Sequence, residues 1–338
     1  MLKTFIATLF IACTILALLL FIPRSYDVPS YNEREGTEYW NLESGSRIGC
    51  FKVEGSAEFH KPPIIYLHGG PGGKITDQMI KGLSALSKLG HDLYLYDQVG
   101  SGSSVRLKNI KEYSVQRHSN DLAEIVSLIK ADEVILLGHS WGALLAVHYL
   151  QNHKEKIDKL ILSGPGPILP INRKIAKLEP PAEYDLIKPE FSNKEANEKI
   201  HNWRSKLVSR WAYVFNSKLA SDLEMDQFFT KLNSELSKST TCTIDNNRII
   251  ESGGGYYTHI MTVRSFYEVV DKRESLKNST TPVLILRGQC DNQKWGFTKE
   301  YLDLFKNSEL KIIKDAGHDI LNTGYEKYMK AIEVFLSS

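Results

Sequence analysis

The chain has 338 residues, with 42 basic against 40 acidic side chains, a formal net charge of +2, 42% hydrophobic and 24% charged residues. That composition excludes a disulfide miniprotein, a collagen-like repeat and a disordered chain, and it suffices for a full globular core. No basic excess marks nucleic acid as a partner, and Cys13, Cys50, Cys242 and Cys290 show no CxxC spacing and no neighbouring histidine pattern, so neither a zinc site nor a disulfide framework is expected.

The first element is apolar. From Phe5 to Ile22 only Thr8 and Thr14 interrupt the run, and Lys3 and Pro23-Arg24 flank it. Coiled as a helix, such a segment spans roughly 27 Å, close to the thickness of a bilayer's hydrocarbon core. Residues 4–23 are therefore expected to form a single N-terminal transmembrane anchor with the body outside the cytoplasm; a cleaved signal and a secreted body is the alternative. No A-x-A-like site follows Ile22. Residues 24–36, polar with one proline, Pro29, read as a linker.

Strand-like and helix-like stretches then alternate. Tyr39–Leu42 and Arg47–Val53 flank Gly45 as a hairpin. Ile64–Leu67, Leu93–Tyr96, Val134–Leu137 and Leu160–Leu162 are short, continuous apolar runs that suit strands of a parallel sheet covered on both faces. Between them Met79–Leu89, Asn120–Ile129 and Ala143–Leu150 carry apolar residues at helical spacing. The alternation stops at Gly164-Pro165-Gly166-Pro167 and resumes with Val283–Leu286, Leu310–Ile313 and a last helix near Tyr325–Phe335. The predicted fold class is α/β: residues 37–167 and 280–338 form the core, and residues 168–279 form a helical cap inserted over the strand ends.

Gly138-His139-Ser140-Trp141-Gly142 is G-x-S-x-G after a strand and before a helix, the setting of a nucleophile elbow. A serine hydroxyl needs a histidine base, itself oriented by a carboxylate. Asp291 follows the strand Val283–Leu286, and His318 follows Leu310–Ile313, so the order Ser140, Asp291, His318 matches that described for this architecture. Asp315, three residues before the histidine, reads as a turn former. The Trp141 N–H at the helix start is one candidate oxyanion donor, and the loop His68-Gly69-Gly70-Pro71-Gly72-Gly73 is placed to supply another. That loop is no phosphate-binding P-loop, because Lys74 is followed by Ile75. His68 is expected to be structural. Gly253-Gly254-Gly255 reads as a mobile loop or a hinge.

HGGPGG at 68–73, Asp97-Gln98-Val99-Gly100-Ser101-Gly102-Ser103-Ser104, GHSWG at 138–142, Asp291 and His318 together resemble the α/β-hydrolase superfamily and, within it, the proline iminopeptidase group of serine peptidases. The resemblance implies an eight-stranded, mostly parallel sheet with a helical cap. It also implies cleavage of amide bonds to a short N-terminal residue through an acyl-enzyme, with no metal and no cofactor. It makes Gly70 and Trp141 the oxyanion donors, and Gly69 and Trp211 candidate substrate contacts. Departures from the group are Val99 where arginine is common, His139 where glycine is common, and Ala212 after Trp211 where a glutamate would meet the substrate's ammonium group. The expected partner is a small peptide, amide or ester. An esterase, lactonase or amidase acting on small apolar substrates is the alternative, and a ligand-binding member of the fold without catalysis is the remote one. The sequence fixes no oligomeric state.

Overall fold

The computed structural model describes residues 1–56, 61–244 and 251–338, apart from the side chains of six residues (2, 16, 17 and 19–21) in the first helix. Among these residues eight strands form one sheet: β1 (Glu38–Asn41), β2 (Arg47–Val53), β3 (Lys61–Leu67), β4 (His91–Tyr96), β5 (Val134–His139), β6 (Ile157–Ser163), β7 (Val283–Gly288) and β8 (Ser308–Ile313). Their spatial order is β1-β2-β4-β3-β5-β6-β7-β8, antiparallel at β1/β2 and β2/β4 and parallel elsewhere.

The continuous apolar runs alternate between two cores. Ile65, Leu67, Leu136, Leu160, Leu162 and Ile285 join one cluster, while Ile64, Tyr66, Ile135, Leu137, Ile161 and Leu284 join the other. A strand side chain buried this fully contributes about 1.5–3 kcal/mol relative to exposure, which is why runs apolar at every position fit central strands and nothing else here.

Twelve helices accompany the sheet among the described residues. They are α1 (Leu2–Phe21), α2 (Asp77–Leu83), α3 (Val115–Ile129), α4 (Trp141–His153), α5 (Asn193–Ile200), α6 (Trp203–Phe215), α7 (Asp222–Leu236), α8 (Tyr256–Ser265), α9 (Arg273–Lys277), α10 (Trp295–Leu304), α11 (Ile320–Thr323) and α12 (Tyr325–Ser337). Helix α3 begins at Ser114, whose hydroxyl accepts the Arg117 N–H, and stops at Lys130 in the left-handed region with φ 57°. Helix α4 is buried from Trp141 through Leu150, which explains its lack of a polar face. The expected helix Met79–Leu89 instead breaks: α2 gives way to a 3-10 turn, Ser84–Leu89, that ends at Gly90.

Helices α5 to α9 fall between β6 and β7, where the cap is expected; positions 245–250 of that span lie outside the described residues. The first helix covers the expected transmembrane segment. Among the described residues, however, no helix is long and apolar enough to cross a membrane.

One expectation is overturned. Cys242 and Cys290 form a disulfide with Cα atoms 5.1 Å apart across 48 residues of sequence. Neither spacing nor neighbours betray it, because the pair joins a cap segment to a strand-end loop that only the tertiary fold brings together. Cys13 and Cys50 are free thiols.

Candidate active site

Register places the site at one edge of the sheet. His139 pairs with Ser163, Ser163 with Leu286, and Gly288 with Ile313, so the residues following β5, β7 and β8 emerge side by side. Ser140 stands between β5 and α4 at φ 53°, ψ −115°, a strained conformation for a residue other than glycine, with its N–H donating to the Ser163 carbonyl at 2.9 Å. The turn is tight enough that a β-carbon at Gly142 would fall on the Leu67 carbonyl. Only glycine lets α4 start there.

Asp291 and His318 are both buried and joined. His318 Nδ1 lies 2.9 Å from Asp291 Oδ1, which also accepts the Gln293 N–H at 2.8 Å. Burial alone would raise the Asp291 carboxyl. The charge and hydrogen bond of His318, the Arg287 guanidinium and the Gln293 N–H outweigh it and hold the group at about 2. An ionised Asp291 fixes the tautomer with hydrogen on Nδ1 and leaves Nε2 able to accept a proton. A β-carbon at Gly164, the residue after Ser163, would stand 3.0 Å from His318 Nδ1 and 3.3 Å from Asp291 Oδ2. A single turn after β6 thus separates the pair from the Ser140 backbone. Asp315 is the turn former expected of it, at φ 64° and 3.8 Å from Lys327.

The glycine loop flanks the serine on its other side. A β-carbon at Gly69 would come within 3.2 Å of Ser140 Cβ. The Trp141 N–H is the first of α4 and has no acceptor within its helix. His68 Nδ1 donates to the Gly69 carbonyl at 2.8 Å while Nε2 accepts the Gln98 N–H at 2.9 Å; burial lowers this imidazole to about 4 and it stays neutral. His68 is structural, as expected. Gln98 was not singled out by sequence, yet its amide joins the glycine loop to the start of α4: Nε2 donates to the His68 carbonyl at 3.0 Å and Oε1 accepts the Trp141 indole at 2.7 Å. The signal for it lay in the Asp97-Gln98 motif. Asp97 Oδ1 accepts the Ile75 N–H at 2.8 Å and Oδ2 the Ser103 N–H at 2.9 Å, so the carboxylate holds the two loops together.

A cleft of about 550 Å³ opens beside His139, lined among others by Lys74, Thr230, Asn233, Thr240, Glu251 and Asp319. Hydroxyl and amide side chains alternate with apolar wall such as Met79 and Leu236. The His139 ring lies 5.0 Å from that of His318, and burial followed by the neighbouring His318 lowers it to about 4. Glu251 pairs with Lys74 at 2.7 Å. The acidic cap residues visible in the sequence are engaged elsewhere: Glu195 caps α5, Glu198 faces Lys194, Glu235 binds Lys199, and Glu224 is buried against Arg204. Trp211 is on α6, its indole donating to Ser217 at 3.0 Å and its rings 4.3 Å from Phe215, and it is not among the residues lining the cleft. Gly253–Gly255, expected as a mobile loop or a hinge, is held at both ends by backbone hydrogen bonds. The Gly253 carbonyl accepts the Gly102 N–H at 2.7 Å and the Gly255 N–H donates to Gly72 at 2.8 Å, because missing side chains let these backbones meet.

The sequence profile of the α/β hydrolase fold matches residues 62–325. Among curated proteins the chain is similar to the proline iminopeptidase of Saccharolobus solfataricus, 26% identical over 293 residues, 85% of this chain and 87% of that protein. The proline iminopeptidase of Heyndrickxia coagulans is 27% identical over 281 residues, 82% of this chain and 91% of that protein. Solved structures of the same fold include an esterase from Exiguobacterium antarcticum, with TM-score 0.58, 19% identity and coverage of 89% of this chain and 99% of that one. The proline iminopeptidase of Mycobacterium smegmatis gives TM-score 0.56 and 15% identity over 89% and 97%. With the fold, the elbow and the strand-end pair in place, the chain belongs to the α/β-hydrolase fold family, and within it is similar to the proline iminopeptidases.

Proposed function

We propose that the chain is a serine aminopeptidase that removes a short N-terminal residue, prolyl above all, through an acyl-enzyme. Ser140 Oγ attacks the carbonyl carbon and its proton passes to His318 Nε2, while Asp291 holds Nδ1–H. The amides of Gly70 and Trp141 receive the oxyanion, and His318 then protonates the leaving amine before water releases the acyl group. The carrying observation is the buried Asp291–His318 hydrogen bond one turn from a serine strained to positive φ. The prolyl specificity draws its support from the names of the curated relatives. Glu251 and Asp319 are the carboxylates lining the cleft, and in this reading they receive the substrate's ammonium group, which takes the place of Lys74 on Glu251.

One observation favours the esterase reading: Ala212 stands after Trp211, and the cap glutamates of α5, α6-facing α7 and its C-terminus are committed to other partners. Hydrolysis of prolyl amides, their N-acetylated forms and small esters by wild type and Ser140→Ala decides between them. The aminopeptidase reading expects fast release from free prolyl amides, loss on acetylation, and no turnover by Ser140→Ala. Equal rates with and without acetylation overturn it in favour of the esterase.

We also propose that residues 4–23 anchor the protein, with the catalytic body outside the cytoplasm. Phe5, Ile6, Leu9, Phe10 and Ile11 are each more than half exposed around α1, which water would not favour. The Cys242–Cys290 disulfide supports an oxidising compartment. Membrane fractionation with alkaline carbonate extraction tests the anchor: full-length protein in the pellet is expected, and a free protein shortened by the segment favours a cleaved signal.

A further inference from the structure

The mechanism uses no residue of the short cap stretch Ser239–Cys242, yet this stretch touches both loops that carry the acid and the base. It leaves α7 through a 3-10 turn, Ser237–Thr240. Its contacts fall on the immediate neighbours of the two catalytic side chains. Cys242 is bonded to Cys290, the residue before Asp291, and the Ser239 carbonyl accepts from Asn292 Nδ2, the residue after it, at 3.0 Å. The Thr240 carbonyl accepts the Asp319 N–H at 3.1 Å, just after His318. On the other side of His318, a β-carbon at Gly317 would fall on that same Thr240 carbonyl, so the cap backbone lies directly on the histidine loop. The two loops are themselves tied, with the Cys290 N–H donating to Ala316 at 2.9 Å and the Gln289 N–H to Ile313 at 3.0 Å. Thr240 and Thr241 also line the cleft.

We propose that Ser239–Cys242 is a strap that positions Asp291 and His318, that the Cys242–Cys290 disulfide is what fastens it, and that a dithiol reductant therefore lowers turnover reversibly. The inference rests on the triad reading given above. The bond constrains the strap because it closes at the one covalent point between the cap and the acid loop. The hydrogen bonds beside it, from Asn292 to the Ser239 carbonyl and hydroxyl and from the Asp319 N–H to Thr240, each contribute modestly in net terms. Cys290 is buried whereas Cys242 is half-buried, so a thiolate reaches the Cys242 sulfur. Attack there forms a mixed disulfide and expels the Cys290 thiolate, which takes up a proton. The reductant's second thiolate then closes its own disulfide and expels the Cys242 thiolate, which is protonated in turn. Two electrons and two protons move from the dithiol to the two cysteines. Cys242 and Cys290 are positioning residues in this account, since neither touches the reacting atoms.

The test uses the full chain. Wild type is treated with dithiothreitol, alkylation and mass measurement count the thiols, and two rates are read: kcat on an activated ester and the rate of phosphonate labelling of Ser140. Both are expected to fall at least tenfold when the Cys242–Cys290 pair opens, with the melting temperature still showing a folded protein, and both recover on reoxidation. Cys242→Ser should show the reduced rates and no response to dithiothreitol, whereas Cys13→Ser should behave as wild type. A labelling rate within twofold in the oxidised and reduced protein overturns the strap, as does free alkylation of Cys242 and Cys290 without reductant. Should oxidised protein label at no serine at all, the triad reading fails rather than the strap. If Cys242→Ser does not fold, reversible reduction of the wild type carries the test alone.

Discussion

The strand-end edge of the sheet and the cap hold side chains in different ways. At the sheet edge, position comes from backbone: parallel register sets β5, β6, β7 and β8 beside one another, and the elbow, the acid and the histidine follow from where those strands stop. In the cap, position comes from side-chain pairs, such as the buried Arg204–Glu224 ion pair between α6 and α7 and the Arg106–Asp226 bridge at 3.1 Å that ties α7 back to the core. Backbone registers tolerate sequence change, whereas pairs of side chains do not. The strand-end positions are therefore readable from local sequence, whereas the pairings in the cap are not.

Substitutions in each region test that contrast. Asp291→Asn should reduce kcat by about 10⁴-fold with little change in KM, as loss of the orienting carboxylate does in other triads; steady-state kinetics on an activated ester read it, and a loss below tenfold would place the acid elsewhere. In the cap, Glu224→Gln leaves the buried Arg204 guanidinium without its counter-charge, which costs about 3–5 kcal/mol. Hydrogen exchange should then report faster opening of α6 and α7 while the strands β3, β5 and β6 keep their protection. Loss of protection across both regions would mean that cap and sheet unfold as one unit.

Acid should weaken the core through its buried histidines. His68 and His139 are lowered by burial to about 4, below the ordinary 6.5, so the folded protein binds fewer protons than the unfolded chain between those values. Stability therefore falls as pH drops from about 6.5 to 4. Asp291 adds to this lower down: held at about 2 against an ordinary 3.8, it contributes stability that is lost as pH falls from about 4 to 2. Urea midpoints should decline steadily over both windows, and a midpoint constant from pH 7 to 4 contradicts the neutral buried histidines. The smallest effect is expected at the cleft, where Glu251→Gln should raise KM for free aminoacyl amides by about tenfold, the size of one charged contact. KM for uncharged esters should stay the same.

The strands, the elbow and the strand-end places of Asp291 and His318 were legible because each rests on a local pattern: apolar runs of strand length, glycines at a turn, and polar residues at strand ends. What escaped was long-range. Gln98 works through partners at 68 and 141, and the disulfide joins residues 48 apart in sequence. The glycines 253–255 carry no local mark of docking, since their role depends on the loops at 72 and 102 that they meet. Helix α2 gives way at Ser84 to a 3-10 turn in which Leu83 and Leu86 are both still buried, a change of pitch that apolar spacing alone does not announce. Trp211 followed the resemblance to α6, where the cleft does not reach it.

The central claim is that Ser140 is the nucleophile, activated by His318 and Asp291. It is tested most directly by mass analysis of the peptide spanning Ser140 after brief reaction with an activated acyl ester, acid-quenched in the first turnover. An acyl adduct on Ser140, approaching one per chain and formed about 10⁴-fold more slowly in Asp291→Asn, is the predicted result. Turnover of the ester with no adduct on Ser140, or with the adduct on another residue, would contradict the account.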